Sequence, residues 1–195
     1  LPTTGTSPQV TSATATTGTT GTTAPATDAE DPDDLLLSRL VVAAEHLEGY
    51  DRDRFHHWID ADHDGCNTRC EVLEEERRPD VGWVSIYDGF VTTDKAKLEI
   101  DHVVALAEAW RSGAWAWDDA RREAFANDLE EPDALIAVSS ASNQSKADKD
   151  PAEWRPPLRG SWCQWARAWT TVKVRWSLTV DARELDAVRA LLADC

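Results

Sequence analysis

From Pro32 onward, apolar positions recur at helical or strand spacing, and each spacing predicts an element. Leu36, Leu40, Ala43, Ala44 and Leu47 share one helical face and predict a first amphipathic helix. A second helical piece is expected from Asp51 to Ile59, and a third from Val72 to about Arg77. Residues 82–91 alternate and turn at Asp88-Gly89, the pattern of a hairpin. Leu98 to Val104 alternates as a strand. Leu106 to Arg111 and Asp118 to Leu129 read as helices, and Ala134 to Val138 as a short buried strand. Ser139 to Lys146 begins a polar turn or helix. Trp165, Trp169, Val172 and Trp176 fall on one helix face. Such a stripe could stack bases, but ten tryptophans in one small domain point to packing. The last helix opens with the capping-box-like pair Asp181 and Glu184, then buries Leu185, Val188, Leu191 and Leu192.

Residues 1–31 break this pattern. They are mostly Thr, Ala, Gly, Pro and Ser, ending in an acidic run. Too little apolar surface is present to offset the entropy of ordering, so a disordered head or stalk is expected there. Residues 32–195 then form one domain, long enough for a real core. No apolar run approaches the roughly 20 residues that cross a bilayer.

The four cysteines change the picture further. An even count beside such a head suggests a secreted or cell-surface chain with two disulfides. Cys163–Cys195 would tie the last two helices together, which leaves Cys66–Cys70. Zinc is the rival use, but the lone Cys-x-x-x-Cys has no second pair and no His at zinc spacing.

The formal net charge of -16 is adverse for a partner that is itself a polyanion. Its distribution softens this. Asp28, Glu30, Asp31, Asp33 and Asp34 lie in or beside the head. Between Asn143 and Arg175 the sign reverses, with Lys146, Lys149, Arg155, Arg159, Arg167, Lys173 and Arg175 against three acids. A bound metal ion would add local positive charge.

The chemistry centres on Asp101-His102 and Asn143. Neighbours on a strand point to opposite faces, so Asp101 and His102 serve one site only where the strand ends or bends. Asn143 follows the strand 135–138 at the start of a helix, and its carbonyl oxygen is a hard neutral ligand for Mg²⁺ or Mn²⁺. Hydrolysis of an anionic ester needs an activated water, charge relief and a stabilised leaving group. A neutral His supplies the first, worth about 10²–10⁴-fold, and one divalent ion the other two.

A second acidic constellation precedes this one. Asp60, Asp62, Asp64, Gly65 and Glu71 match the calcium-loop pattern D-x-D-x-D-G-x₅-E at each specified position. Asn67 stands where Ile, Leu or Val is usual, and no second loop is present to pair with. Two other readings stay open. His63, Asn67 and Arg69 belong to the catalytic cleft, or the run is a solvated turn. His46, His56 and His57 lack matching partners and read as surface or capping residues.

Four segments carry a family resemblance. They are Asp64–Arg69 (DGCNTR), Glu99–Trp110 (EIDHVVALAEAW), Arg121–Leu129 (RREAFANDL) and Leu135–Trp154 (LIAVSSASNQSKADKDPAEW). The chain resembles the secreted bacterial HNH endonucleases related to the C-terminal domain of GmrSD-type restriction enzymes, over residues 35–195. Its DH…N…K pattern is also similar to the HNH domain of RNA-guided nucleases. The resemblance implies an α+β fold, with a ββα-metal core wrapped by several helices. It implies an extracellular, metal-dependent endonuclease, monomeric, acting on DNA and/or RNA. His102 would be the general base, Asp101 and Asn143 would hold Mg²⁺ or Mn²⁺, and Lys146 would sit beside the phosphate. Two residues depart from the family: Ala105 stands for a usual Pro and Ala147 for a usual Gly. The segment between Glu76 and Gly82 is short and lacks an expected Cys, for which Cys70 is the replacement partner. The alternative from another class is a calcium-binding extracellular or adhesion module on a catalytically inactive nuclease fold.

Overall fold

The computed structural model describes residues 1–6, 9 and 31–195, so the expected disordered head lies almost wholly outside the described residues. The elements run α1 (Pro32–Leu37), β1 (Val41–Val42), α2 (Thr68–Glu75), β2 (Trp83–Val84), β3 (Val91–Thr92) and β4 (Leu98–His102). They continue with α3 (Leu106–Arg111), α4 (Asp119–Ala126), β5 (Leu135–Ser139), α5 (Ser140–Lys146), α6 (Trp162–Trp176), β6 (Thr179–Val180) and α7 (Ala182–Leu192). The fold is α+β.

The centre is an antiparallel pair. β4 and β5 align Leu98 with Ser139 and His102 with Leu135, and α5 starts on the residue after β5. Strand alternation splits β4 by face. Leu98 and Ile100 join Leu135 and Ala137 in a small core with Val72, Leu73 and Trp83, beneath α2. Glu99 and Asp101 share the opposite face with Ile136 and Val138. There lies the larger core, built around Trp165, Trp169, Tyr87 and Phe55.

The tryptophan stripe of α6 packs as expected. Trp165 and Trp169 are buried, and Trp176 lies against the core. Lys173 of the same helix is buried too, 2.6 Å from Glu108 of α3 and 3.0 Å from Glu184 of α7. Burial raises the Glu184 carboxyl to about 7. Both expected disulfides form: Cys66–Cys70, and Cys163–Cys195, which joins the start of α6 to the segment after α7.

Two helical expectations fail. The first amphipathic helix ends at Leu37, where the Ser38 hydroxyl bonds back to the Leu35 carbonyl. The adjacent β-branched Val41 and Val42 then favour extended backbone and pair in parallel with Thr179 and Val180. Leu47 is left exposed. Between Asp51 and Ile59 only one 3-10 turn forms, Arg52–Arg54, because Phe55 leaves the helical region at φ -103° and ψ +88° and Trp58 then adopts φ +62°. The calcium-like loop therefore has a helix on its exit side only. The hairpin β2–β3 does form, with Gly89 at φ +73° in its turn.

Candidate active site

β4 ends at the residues that matter. Its Asp101 and His102 leave by opposite faces, yet both line one open cavity of about 640 Å³ along the strand's free edge. Glu99, Asn143, Arg52 and Tyr50 line it as well.

His102 is buried beside Trp58 and Phe125. Its Nε2 lies 2.9 Å from the Ala126 carbonyl. A carbonyl only accepts, so Nε2 carries the proton and Nδ1 keeps its lone pair. Burial pushes the imidazole down to about 3. The Ala126 carbonyl opposes this, and the charges of Arg52 and Lys146 add to it. His102 is therefore a neutral imidazole with one defined acceptor nitrogen.

Asp101 is equally constrained. Lys146 Nζ donates to its Oδ1 at 2.9 Å and Tyr87 Oη to its Oδ2 at 2.6 Å. Burial raises its carboxyl, opposed by the Lys146 charge and by both hydrogen bonds. Each oxygen accepts one hydrogen bond here, and a carboxylate offers about four lone-pair positions.

Asn143, in the middle of α5, donates from Nδ2 to Glu99 Oε2 at 2.7 Å. Gln144 donates to the other Glu99 oxygen at 3.1 Å. The carboxylate takes the amide nitrogen and leaves Asn143 Oδ1 available to a cation. Asp101, Glu99 and Asn143 line one cavity with oxygen donors, the ligand type that a hard divalent ion takes while keeping several of its waters.

The acidic loop is a separate feature. The carboxylates of Asp60, Asp62 and Asp64 lie within 4.8 Å of one another, and Glu71 is outside that group. Gly65 turns at φ +94° and donates to Asp60 Oδ2 at 3.1 Å. Asp60 Oδ1 is buried without a partner among the described residues. Partial desolvation and the charges of Asp64, Asp62, Glu74 and Asp60 raise the Glu71 carboxyl.

A family model described as GmrSD restriction endonucleases, C-terminal domain, matches residues 65–190, a span that holds Asp101, His102 and Asn143 together. The chain belongs to this family. The GmrSD C-terminal domain is an HNH-type nuclease domain, and the β4–β5–α5 unit is its strand–strand–helix core. A protein of Arthroderma benhamiae described as "Uncharacterized secreted protein" is 40% identical over 171 residues, covering 82% of this chain and 83% of its own length. No solved structure matches. The disulfides and this relative agree in making the GmrSD-type chain extracellular. No helix among the described residues is long and apolar enough to cross a membrane.

Two charge expectations for the GmrSD-type domain are corrected. Lys146 does not face the cavity. Its ammonium is fully buried between Asp101 and the His102 carbonyl. The basic stretch from Asn143 to Arg175 is also partly neutralised, leaving Lys149, Arg155 and Arg159 as its accessible cations. Lys173 is buried on two carboxylates, Arg167 pairs with Asp33, and Arg175 with Asp128 and Glu130. Sequence reasoning missed Glu99, Tyr87, Arg52 and His57. Only Glu99 carried a local signal, since it sits two residues before Asp101 on the same strand face. His57, read as a surface residue, stands with its ring 6.4 Å from that of His102.

Proposed function

We propose that this chain is a metal-dependent endonuclease that hydrolyses phosphodiester bonds of DNA and/or RNA outside the cell, acting as a monomer. The observation that carries the reading is the pairing of His102 Nε2 with the Ala126 carbonyl. It prepares Nδ1 as a base in the same cavity as Asp101 and Asn143. His102 Nδ1 takes a proton from water as the water oxygen bonds to phosphorus. The leaving oxygen departs with the electron pair of its P–O bond and is protonated by solvent. Asp101 and Asn143 hold a divalent ion, Mg²⁺ or Mn²⁺. When bound it withdraws charge from the phosphate and steadies the leaving oxygen. Glu99 holds the Asn143 amide in the ligating orientation. Lys146 serves catalysis indirectly, by keeping Asp101 ionised and fixed.

Plasmid cleavage tests this. Nicking or linearisation in Mg²⁺ or Mn²⁺, abolished by EDTA and restored by added metal, is the expected result. A folded protein silent on plasmid, single-stranded DNA and RNA across several metals would favour the inactive-fold alternative.

The acidic loop supports an additional structural role. We propose that Asp60, Asp62 and Asp64 hold Ca²⁺, because the buried, unpartnered Asp60 oxygen gains a ligand that way. Calcium should then raise the melting temperature through preferential binding to the folded chain. Asp60→Asn with Asp62→Asn should remove the shift. An equal shift in that double variant would exclude this loop.

A further inference from the structure

With Lys146 sealed inside, the cavity needs another source of positive charge for a phosphate. Its acidic lining is Glu99, Asp101 and Asp148, and its basic lining is Arg52 and Arg111. Arg111 is already committed. It bonds Glu108 at 2.9 Å, Asp148 at 2.8 Å and Glu45 at 3.3 Å. Arg52 makes no carboxylate ion pair among the described residues.

Arg52 is held in place without being neutralised. It sits in the 3-10 turn Arg52–Arg54, which Asp51 caps and which precedes the fully buried Phe55. His57 Nδ1 lies 2.8 Å from the Phe55 carbonyl, so Nδ1 is the protonated nitrogen and Nε2 an acceptor. Arg52 Nη2 lies 3.3 Å from that Nε2. A neutral imidazole thus steers the guanidinium and leaves its charge and most of its five donors free. The turn brings an exposed arginine to the cavity wall that His102 and Asp101 also line.

We infer that Arg52 is the residue that grips the scissile phosphate, donating to its non-bridging oxygens, in the place where sequence reasoning put Lys146. The inference rests on the nuclease reading above. Its chemistry is that of a planar fork matched to two phosphate oxygens. A group that binds oxygens whose charge grows as water attacks contributes to turnover as well as to affinity.

The test separates this inference from the reading beneath it. Binding of a fluorescent DNA duplex is measured against salt in a His102→Ala background, with and without Arg52→Gln. Removing one phosphate contact should lower the slope of log K against log salt by about 0.9. Arg52→Lys should keep the slope, because the charge remains. Arg183→Gln, an exposed change on α7, should keep it too. In the otherwise wild-type enzyme, Arg52→Gln should cut turnover at saturating DNA by at least about 10-fold, with Mn²⁺ affinity unchanged. If the wild type cleaves DNA while Arg52→Gln alters neither slope nor turnover, the role of Arg52 is refuted and the nuclease reading stands. If the wild type neither binds nor cleaves nucleic acid, both fall.

Discussion

Lys146 Nζ lies 2.9 Å from Asp101 Oδ1, with the ammonium fully buried and the carboxylate 5% exposed at the cavity wall. An ion pair this deep gains little net energy when made but costs heavily when halved, because the surviving charge has no water to return to. Lys146→Met should therefore destabilise the fold by about 3–5 kcal/mol, read by denaturant unfolding. A Lys146→Met protein as stable as wild type, yet inactive, would instead put the ammonium on the substrate.

Ala147 follows α5 at φ +52° and ψ -124°, a backbone conformation that a Cβ disfavours. This is the position where the family resemblance expects Gly, and the geometry supplies the reason. Ala147→Gly should stabilise the chain by about 1 kcal/mol, after allowing for the extra freedom of glycine in the unfolded state. The check is the denaturation midpoint. A lower midpoint would mean that the Ala147 methyl contributes packing worth more than the strain.

Glu76 accepts the Ala137 N–H of β5 at 3.0 Å. Burial raises its carboxyl to about 7, opposed by that N–H and by the Arg78 charge and helped by Asp133. A folded-state value above the unfolded one means that the folded chain holds the proton more tightly. The stability is therefore present below the ordinary carboxylate range and lost as pH rises through about 7. Glu76→Gln keeps an acceptor for Ala137 and never ionises. Its melting-temperature advantage over wild type should widen from about pH 5 to about pH 8. A difference that is constant across that range would contradict the assignment.

Much of this site was legible in the sequence for local reasons. Asp101 and His102 sit at the end of a strand and Asn143 on the short helix after the next strand, elements whose periodicity is plain, and alternation already put Asp101 and His102 on opposite faces. The cysteine count led to both disulfides. What failed was non-local. Charge counting made Lys146 and Lys173 surface cations, but Asp101, Glu108 and Glu184 reach them across the fold, from positions that no spacing rule connects. The first helix was lost because Val41 and Val42 found partners at Thr179 and Val180, far along the chain. Arg52 and Tyr87 arrive at the site on irregular segments, where side-chain direction has no period to read.

In the proposed division of labour His102 activates water while Asp101 and Asn143 hold the ion. The most direct test is plasmid turnover by wild type and His102→Ala across a Mn²⁺ titration, with both proteins folded by circular dichroism. The maximal rate should be lower by at least about 10²-fold in His102→Ala, with the same Mn²⁺ midpoint. Equal maximal rates would contradict this division of labour.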